Sequence, residues 1–167
     1  MVKESKATEV KRYTIQQFYG SESITGNSIS YDGRKVLFSG DKTGIYNAYC
    51  VSVEDGVRTQ LTHSEDNAVL VTSYFPDDDR FLFLSDKGGN EILHIYVKNE
   101  NGEEIDLTPG EQERAEFYSW SQDGKAFSTG QISGILVTWT SMKWILPLLN
   151  LLVFLRMMKD TNLGPSL

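Results

Sequence analysis

One short motif returns three times at a spacing of about 46 residues, and a period of that length leaves few folds open. Ser28-Ile29-Ser30-Tyr31-Asp32-Gly33 recurs as Tyr74-Phe75-Pro76-Asp77-Asp78-Asp79 and again as Ser119-Trp120-Ser121-Gln122-Asp123-Gly124. Asp32, Asp78 and Asp123 are separated by 46 and 45 residues. The register holds elsewhere between the first two units. Tyr46 to Val51 lies 46 residues before Ile92 to Val97, Gly56 before Gly102, and Leu61-Thr62 before Leu107-Thr108.

Each unit reads as four short strands rich in Val, Ile, Phe and Tyr, which suit a half-buried pleated surface. The first strands are Asn27 to Tyr31, Ala68 to Phe75 and Ala115 to Trp120. An Asp-Gly or Asp-Asp turn leads to Lys35–Ser39, Arg80–Ser85 and Lys125–Thr129. Third strands follow at Ile45–Val53 and Glu91–Lys98, with short fourth strands ending at Leu61 and Leu107. Four strands per repeat of this length predict an all-β fold, an incomplete β-propeller of about two and a half blades. A solenoid is the alternative, but residues 20–129 lack the helical period of most solenoids. Ile29, Phe75 and Trp120 stand before the turns and are expected to pack between blades, Trp120 facing a missing neighbour. The segment is expected to be marginal alone, with an edge open to aggregation.

The predicted layout is an N-terminal extension (1–12), a partial propeller (13–129) and an apolar tail (130–167). The charge balance is −9 before Gly130 and +2 after it. The acidic excess argues against nucleic acid, whose binders carry basic patches. Cys50 is the single cysteine, which excludes an intrachain disulfide and fits a reducing compartment. Met1 to Thr14 lacks an apolar signal region, so a cytoplasmic location is expected.

The chemistry-bearing residues have bland explanations. Asp77-Asp78-Asp79 lacks the spaced ligands of a calcium loop and reads as a solvated turn. Gly40-Asp41-Lys42-Thr43-Gly44 lacks phosphate-loop spacing and joins two strands. His63 and His94 have no Cys or second His at metal-ligand spacing. Cys50 reads as buried packing. Tyr13, Tyr19, Tyr46, Tyr49, Tyr74 and Tyr118 could line a ligand surface, but blades use such residues as core. The sequence therefore offers no catalytic, cofactor-binding or metal-ligating residue.

The blade motif, an aromatic residue followed by Ser or Pro, any residue and Asp-Gly, resembles TolB-like propeller repeats. Residues 13–129, about seven-tenths of the chain, resemble the N-terminal propeller of prolyl oligopeptidase-family serine peptidases. The matching stretches are Tyr13–Phe18, Phe38–Tyr49, Gln60–Ser64, Ser85–Glu91 and Asp106–Glu111. The resemblance implies a propeller that restricts short peptides on their way to an α/β-hydrolase domain holding the catalytic Ser, Asp and His. No Gly-x-Ser-x-Gly elbow occurs here, so no catalytic residue is carried over and the chain itself is not expected to be a hydrolase. The alternatives are a non-enzymatic TolB-like protein-binding module and a small protein anchored by its apolar tail.

Three readings compete for that tail. Ile135 to Met158 has the length of a membrane span, but Lys143, Pro147 and Asn150 interrupt it, so a membrane is not the expected partner. Leu148, Leu149, Leu151, Leu152 and Leu155 could form one face of a packed helix. The preferred reading is a frameshift over residues 131 to 161. Shifting the frame by one base turns Trp139-Thr140 into Asp, Met142-Lys143 into Glu and Trp144-Ile145 into Asp. These acids are forced by the genetic code, and they fall where the resembled family continues its third blade.

Overall fold

The computed structural model describes residues 12–133 and 136–143. The chain opens with a short helix, α1 (Ile15–Tyr19), that the repeat does not announce. Its start is a capping box: the Gln17 N–H donates to Thr14 Oγ1, and the Thr14 N–H donates to Gln17 Oε1 at 2.8 Å. Ten of the eleven strands that follow were foreshadowed by the repeat.

The first sheet comprises β1 (Ile24–Ile29), β2 (Lys35–Gly40), β3 (Asn47–Ser52) and β4 (Arg58–Gln60). The second comprises β5 (Leu70–Tyr74), β6 (Phe81–Ser85), β7 (His94–Lys98) and β8 (Glu104–Asp106). The third holds β9 (Arg114–Trp120), β10 (Ala126–Ser133) and β11 (Leu136–Lys143). Each is an antiparallel meander in sequence order, as successive propeller blades require. The first strand of every sheet departs from regular register against the second, at Thr25/Ser28, Val71/Ser73 and Ser128/Thr129. Such bulges add twist where the strands crowd together. At the first of them Gly26 has φ 65°, and a Cβ there would lie 2.6 Å from the Val71 carbonyl oxygen.

The turns after the first strands explain the recurring aspartates. Asp32, Asp78 and Asp123 each accept from the backbone N–H two residues on, at 3.0, 2.9 and 3.1 Å. Ser30 and Ser121 add a hydroxyl bond to their aspartates; Phe75 takes the corresponding place in the second turn, where Arg80 instead binds Asp78 and lies over the Phe75 ring.

Strand pairing corrects one feature of the repeat. Ile29, Tyr74 and Trp120 pair with Val36, Phe81 and Phe127, so Tyr74, rather than Phe75, is the counterpart of Ile29 and Trp120. The three meet different fates. Tyr74 is buried against the first sheet. Trp120 packs back on Phe75 with ring centroids 4.9 Å apart, and its indole N–H donates to Ser73 Oγ at 2.8 Å. It therefore faces the preceding blade, not a missing one. Among the described residues no sheet precedes Ile29, which is 67% exposed.

Two apolar joints result. In the first, Leu37 and Ala48 meet Val69, Val71, Tyr74, Phe81 and Phe83. In the second, Phe75, Leu82, Ile95, Val97 and Leu107 meet Ala115 and Phe127. A backbone bond repeats at each: Val69 N–H to Tyr46 C=O at 2.9 Å, and Ala115 N–H to Leu93 C=O at 2.8 Å. Burying such a side chain contributes about 2 kcal/mol. The Lys35–Asp79 bridge across the first joint, 2.6 Å long but well exposed, is worth at most about 1 kcal/mol. Apolar burial therefore holds the blades together.

Strand pairing continues past residue 129 to Lys143, into the segment expected as tail. β10 and β11 pair from Ala126↔Lys143 to Ser133↔Leu136. The rest of the supposed out-of-frame segment, the leucine-rich face and most of the candidate span lie outside the described residues, as do residues 1–11. Among the described residues no helix is long and apolar enough to cross a membrane.

Unequal burial at equivalent positions gives a direct test. Tyr74→Ala should cost about 3 kcal/mol, and Ile29→Ser less than about 0.5 kcal/mol. Urea midpoints of the two variants measure the difference; equal losses would show that β1 is covered in solution.

Candidate functional site at the loop rim

Antiparallel order places the β2–β3, β4–β5 and β6–β7 turns at one end of the sheets. Two clefts open there, of about 300 and 570 Å³, and they share His63 and Ser64. The first is bordered by Asn67, Ser85, Asp86, Lys87 and Tyr96, and the second by Thr43, Gly44, Gln60 and Glu65.

Asn47, fully buried at the start of β3, organises this rim. Its amide uses all four of its hydrogen-bonding positions. Nδ2 donates to Thr43 Oγ1 at 3.1 Å and to the Ser64 carbonyl at 3.0 Å. Oδ1 accepts from Thr62 Oγ1 at 2.9 Å and from the Ser64 N–H at 2.7 Å. One side chain thus ties the β2–β3 turn to the loop that carries His63. Its sequence neighbours give no hint of this, because a lone Asn within a strand pattern looks like a weak strand residue.

The repeated Leu-Thr pair now has a physical reason. Leu61 and Leu107 enter the apolar joints. Thr62 Oγ1 accepts from the Ala48 N–H at 2.8 Å, and Thr108 Oγ1 from the Ile95 N–H at 2.9 Å. These hydroxyls continue the ladder where the short fourth strand ends.

The second sheet fills the same positions with ionisable groups. His94 pairs with Ser85 as Asn47 pairs with Gly40, and Asp106 opposes Tyr96 as Gln60 opposes Tyr49. His94 Nδ1 meets Asp106 Oδ2 at 2.8 Å, and Asp106 Oδ1 accepts the Thr108 N–H at 3.0 Å. Burial, reinforced by Asp106, pushes the Tyr96 phenol up to about 12. The register of β3 and β7 is 47 residues, one more than the repeat read from sequence, because the β6–β7 turn is longer.

The other residues singled out from sequence disperse. His63 is exposed on the rim, whereas His94 is buried. Asp78 serves its own turn and Asp79 binds Lys35, so these carboxylates do not converge on a cation. The Gly40–Gly44 segment is a turn closed by the Gly44 N–H on the Asp41 carbonyl at 2.8 Å. Tyr49 and Tyr74 are core and Tyr46 is half-buried, while Tyr13, Tyr19 and Tyr118 are exposed. Of these six, only Tyr74 lines one of the three clefts described, at the opposite rim beside Cys50. Burial raises the Cys50 thiol above its ordinary range. Among the described residues no three His, Cys, Asp or Glu side chains gather as metal ligands.

The rim mixes hydroxyl and amide groups with the charged side chains of Glu65, Asp86 and Lys87. Its hydroxyls are not paired with a base: Ser64 Oγ donates to the Asn67 carbonyl at 2.6 Å and accepts the Asn67 N–H at 3.2 Å.

No protein-family model matches the chain, and no curated protein does. Solved structures do. TolB from Acinetobacter baumannii superposes with a TM-score of 0.61 at 19% identity, over 74% of this chain and 30% of that one. The putative TolB from Agrobacterium tumefaciens gives 0.58 at 20% identity, over 74% and 46%. The fold is a TolB-like propeller segment. An oligogalacturonate lyase in complex with manganese gives 0.50 at 21% identity, over 68% of this chain and 31% of that one. The chain spans less than half the length of each of these three structures.

Two measurements test the local chemistry. Asn47→Ala strands the Ser64 N–H and Thr62 hydroxyl and should cost about 2 kcal/mol, with faster amide exchange at Ser64. Cys50 should resist alkylation at pH 8 in the folded chain and react once urea unfolds it; equal rates would place the thiol in solvent.

Proposed function

We propose that this chain supplies consecutive blades of a larger TolB-like propeller. We further propose that the propeller belongs to a prolyl oligopeptidase-like serine peptidase and restricts short peptides on their way to the active site. The observation that carries the first part is the joint built twice from equivalent positions, while the equivalent face of the first sheet leaves Ile29 uncovered. A blade that needs a neighbour on each side is stable only in a continuing array. The coverage of 30% and 46% of the two TolB structures fits a part of such an array. Support for the peptidase parent comes from the sequence stretches of Phe38–Tyr49 and Asp106–Glu111 that resemble that family. In this reading the chain contributes walls and loops and no nucleophile.

Sequencing the locus and its downstream frames tests both parts. Further blades followed by a Gly-x-Ser-x-Gly hydrolase are expected. Blades alone would sink the peptidase parent in favour of a non-enzymatic binding module, and unrelated sequence would sink both. The purified chain is expected to hydrolyse no peptide substrate. Cleavage that survives repurification and is lost with an active-site serine reagent would contradict this.

A further inference from the structure

The first sheet poses a problem that the other two do not. In the second sheet Phe83 and Tyr96 stack at 5.2 Å, and the first sheet covers them. The first sheet carries the same pair in the same positions, Phe38 and Tyr49, stacked at 5.8 Å. No sheet precedes it among the described residues, yet Phe38 is only 9% exposed and Tyr49 only 3%.

The cover is a side chain. Arg58 lies over both rings, its guanidinium carbon 3.8 Å from the Tyr49 centroid and 4.8 Å from that of Phe38. A planar, weakly hydrated cation suits an aromatic face. Glu22, in the segment leading to β1, grips the guanidinium through both carboxylate oxygens, one of them 2.7 Å from Nη1. The pair crosses Gly40, where a Cβ would collide with Glu22 Oε1 and stand 2.8 Å from Arg58 Nη2. In the second sheet the position of Arg58 is taken by Glu104, which binds Lys98 instead. The arrangement is therefore specific to the first sheet.

We propose that Arg58 and Glu22 form a polar cap over the Phe38–Tyr49 pair, so that these two rings are covered by the chain's own side chains while Ile29 on the same face stays exposed. The cap lays a polar outer layer over part of an apolar face. It does not depend on the peptidase reading. Any blade that meets this face in a larger ring meets an ion pair, and that seam is polar where the two internal joints are apolar.

The cap has a pH dependence. The Glu22 carboxyl is held below its ordinary value of 4.5, first by hydrogen bonding from Arg58 and then by the charges of Arg58 and Lys42; burial and Asp41 oppose this. A depressed carboxylate stabilises the fold fully above its unfolded pKa, and that contribution is lost as pH falls through the folded value.

The full 167-residue chain decides the matter through binding of an apolar dye and sedimentation velocity at pH 7. Arg58→Ala and Glu22→Gln should raise dye fluorescence several-fold and promote self-association, because they uncover a blade face. Wild-type chain should do the same on acidification below the ordinary glutamate range. Lys35→Met, which removes the ion pair across an internal joint, should leave dye binding unchanged. If Arg58→Ala does not fold, Glu22→Gln decides. A folded Glu22→Gln chain with wild-type dye binding and sedimentation overturns the cap, whatever the locus encodes. A locus without further blades would sink the array reading and leave the cap standing.

Discussion

Phe83 and Tyr96 stacked under Leu37, Ala48 and Leu61 are the unit on which the rest of the structure depends. A four-stranded sheet this small has two apolar faces and no interior of its own. Each face must be covered by something outside the sheet. The next blade supplies that cover at two joints, and the backbone follows the same necessity. The loop between sheets is pinned by the Val69–Tyr46 and Ala115–Leu93 bonds, which bring β5 and β9 beside the preceding sheet. Ser39 adds further attachment at the first joint, donating to the Val69 carbonyl at 2.9 Å and accepting the Val71 N–H at 2.7 Å. The joints are thus apolar in energy and polar in register.

Much of the architecture was legible because a repeat copies its constraints. The aspartate turns, the Leu-Thr pairs and the period all stated one demand several times, and their agreement indicated ten of the eleven strands, leaving out β11, which falls in the segment read as tail. Errors entered where the copies differ. Phe75 looked equivalent to Ile29 and Trp120 because it precedes a turn, but strand pairing gives that role to Tyr74. The displacement arises because Asp78 caps its turn one place later than Asp32 and Asp123 do. The short α1 was missed because a five-residue helix has no periodicity to read; its only signal is the Thr14–Gln17 cap.

The rim was less legible than the joints, and for a different reason. A joint is made by residue classes, and a hydrophobic pattern reports classes. The rim is made by one amide whose partners lie 4, 15 and 17 residues away. Nothing in the composition around Asn47 records those partners. The same slots in the second sheet hold His94 and Asp106, an imidazole hydrogen-bonded to a carboxylate in place of an amide and a glutamine. Equivalent backbone positions therefore tolerate quite different polar chemistry, provided every buried group finds a partner.

That tolerance also explains how an end differs from a joint. β3 and β4 pair in the same register as β7 and β8, so strand pairing alone does not distinguish the two faces. The two sheets differ at one register position, Arg58 in β4 and Glu104 in β8. Where that residue is Glu104 it leans away to Lys98, and the Phe83–Tyr96 pair is left for another sheet to cover. Where it is Arg58 it folds back over Phe38 and Tyr49, and the cover comes from within. A stacked guanidinium covers less apolar area than a blade, and its charge is matched by a carboxylate. Glu22 supplies the match at the cost of ordering the segment before β1. The segment before β1 therefore takes part in the first sheet's packing through an ion pair, whereas the two joints are held by apolar side chains.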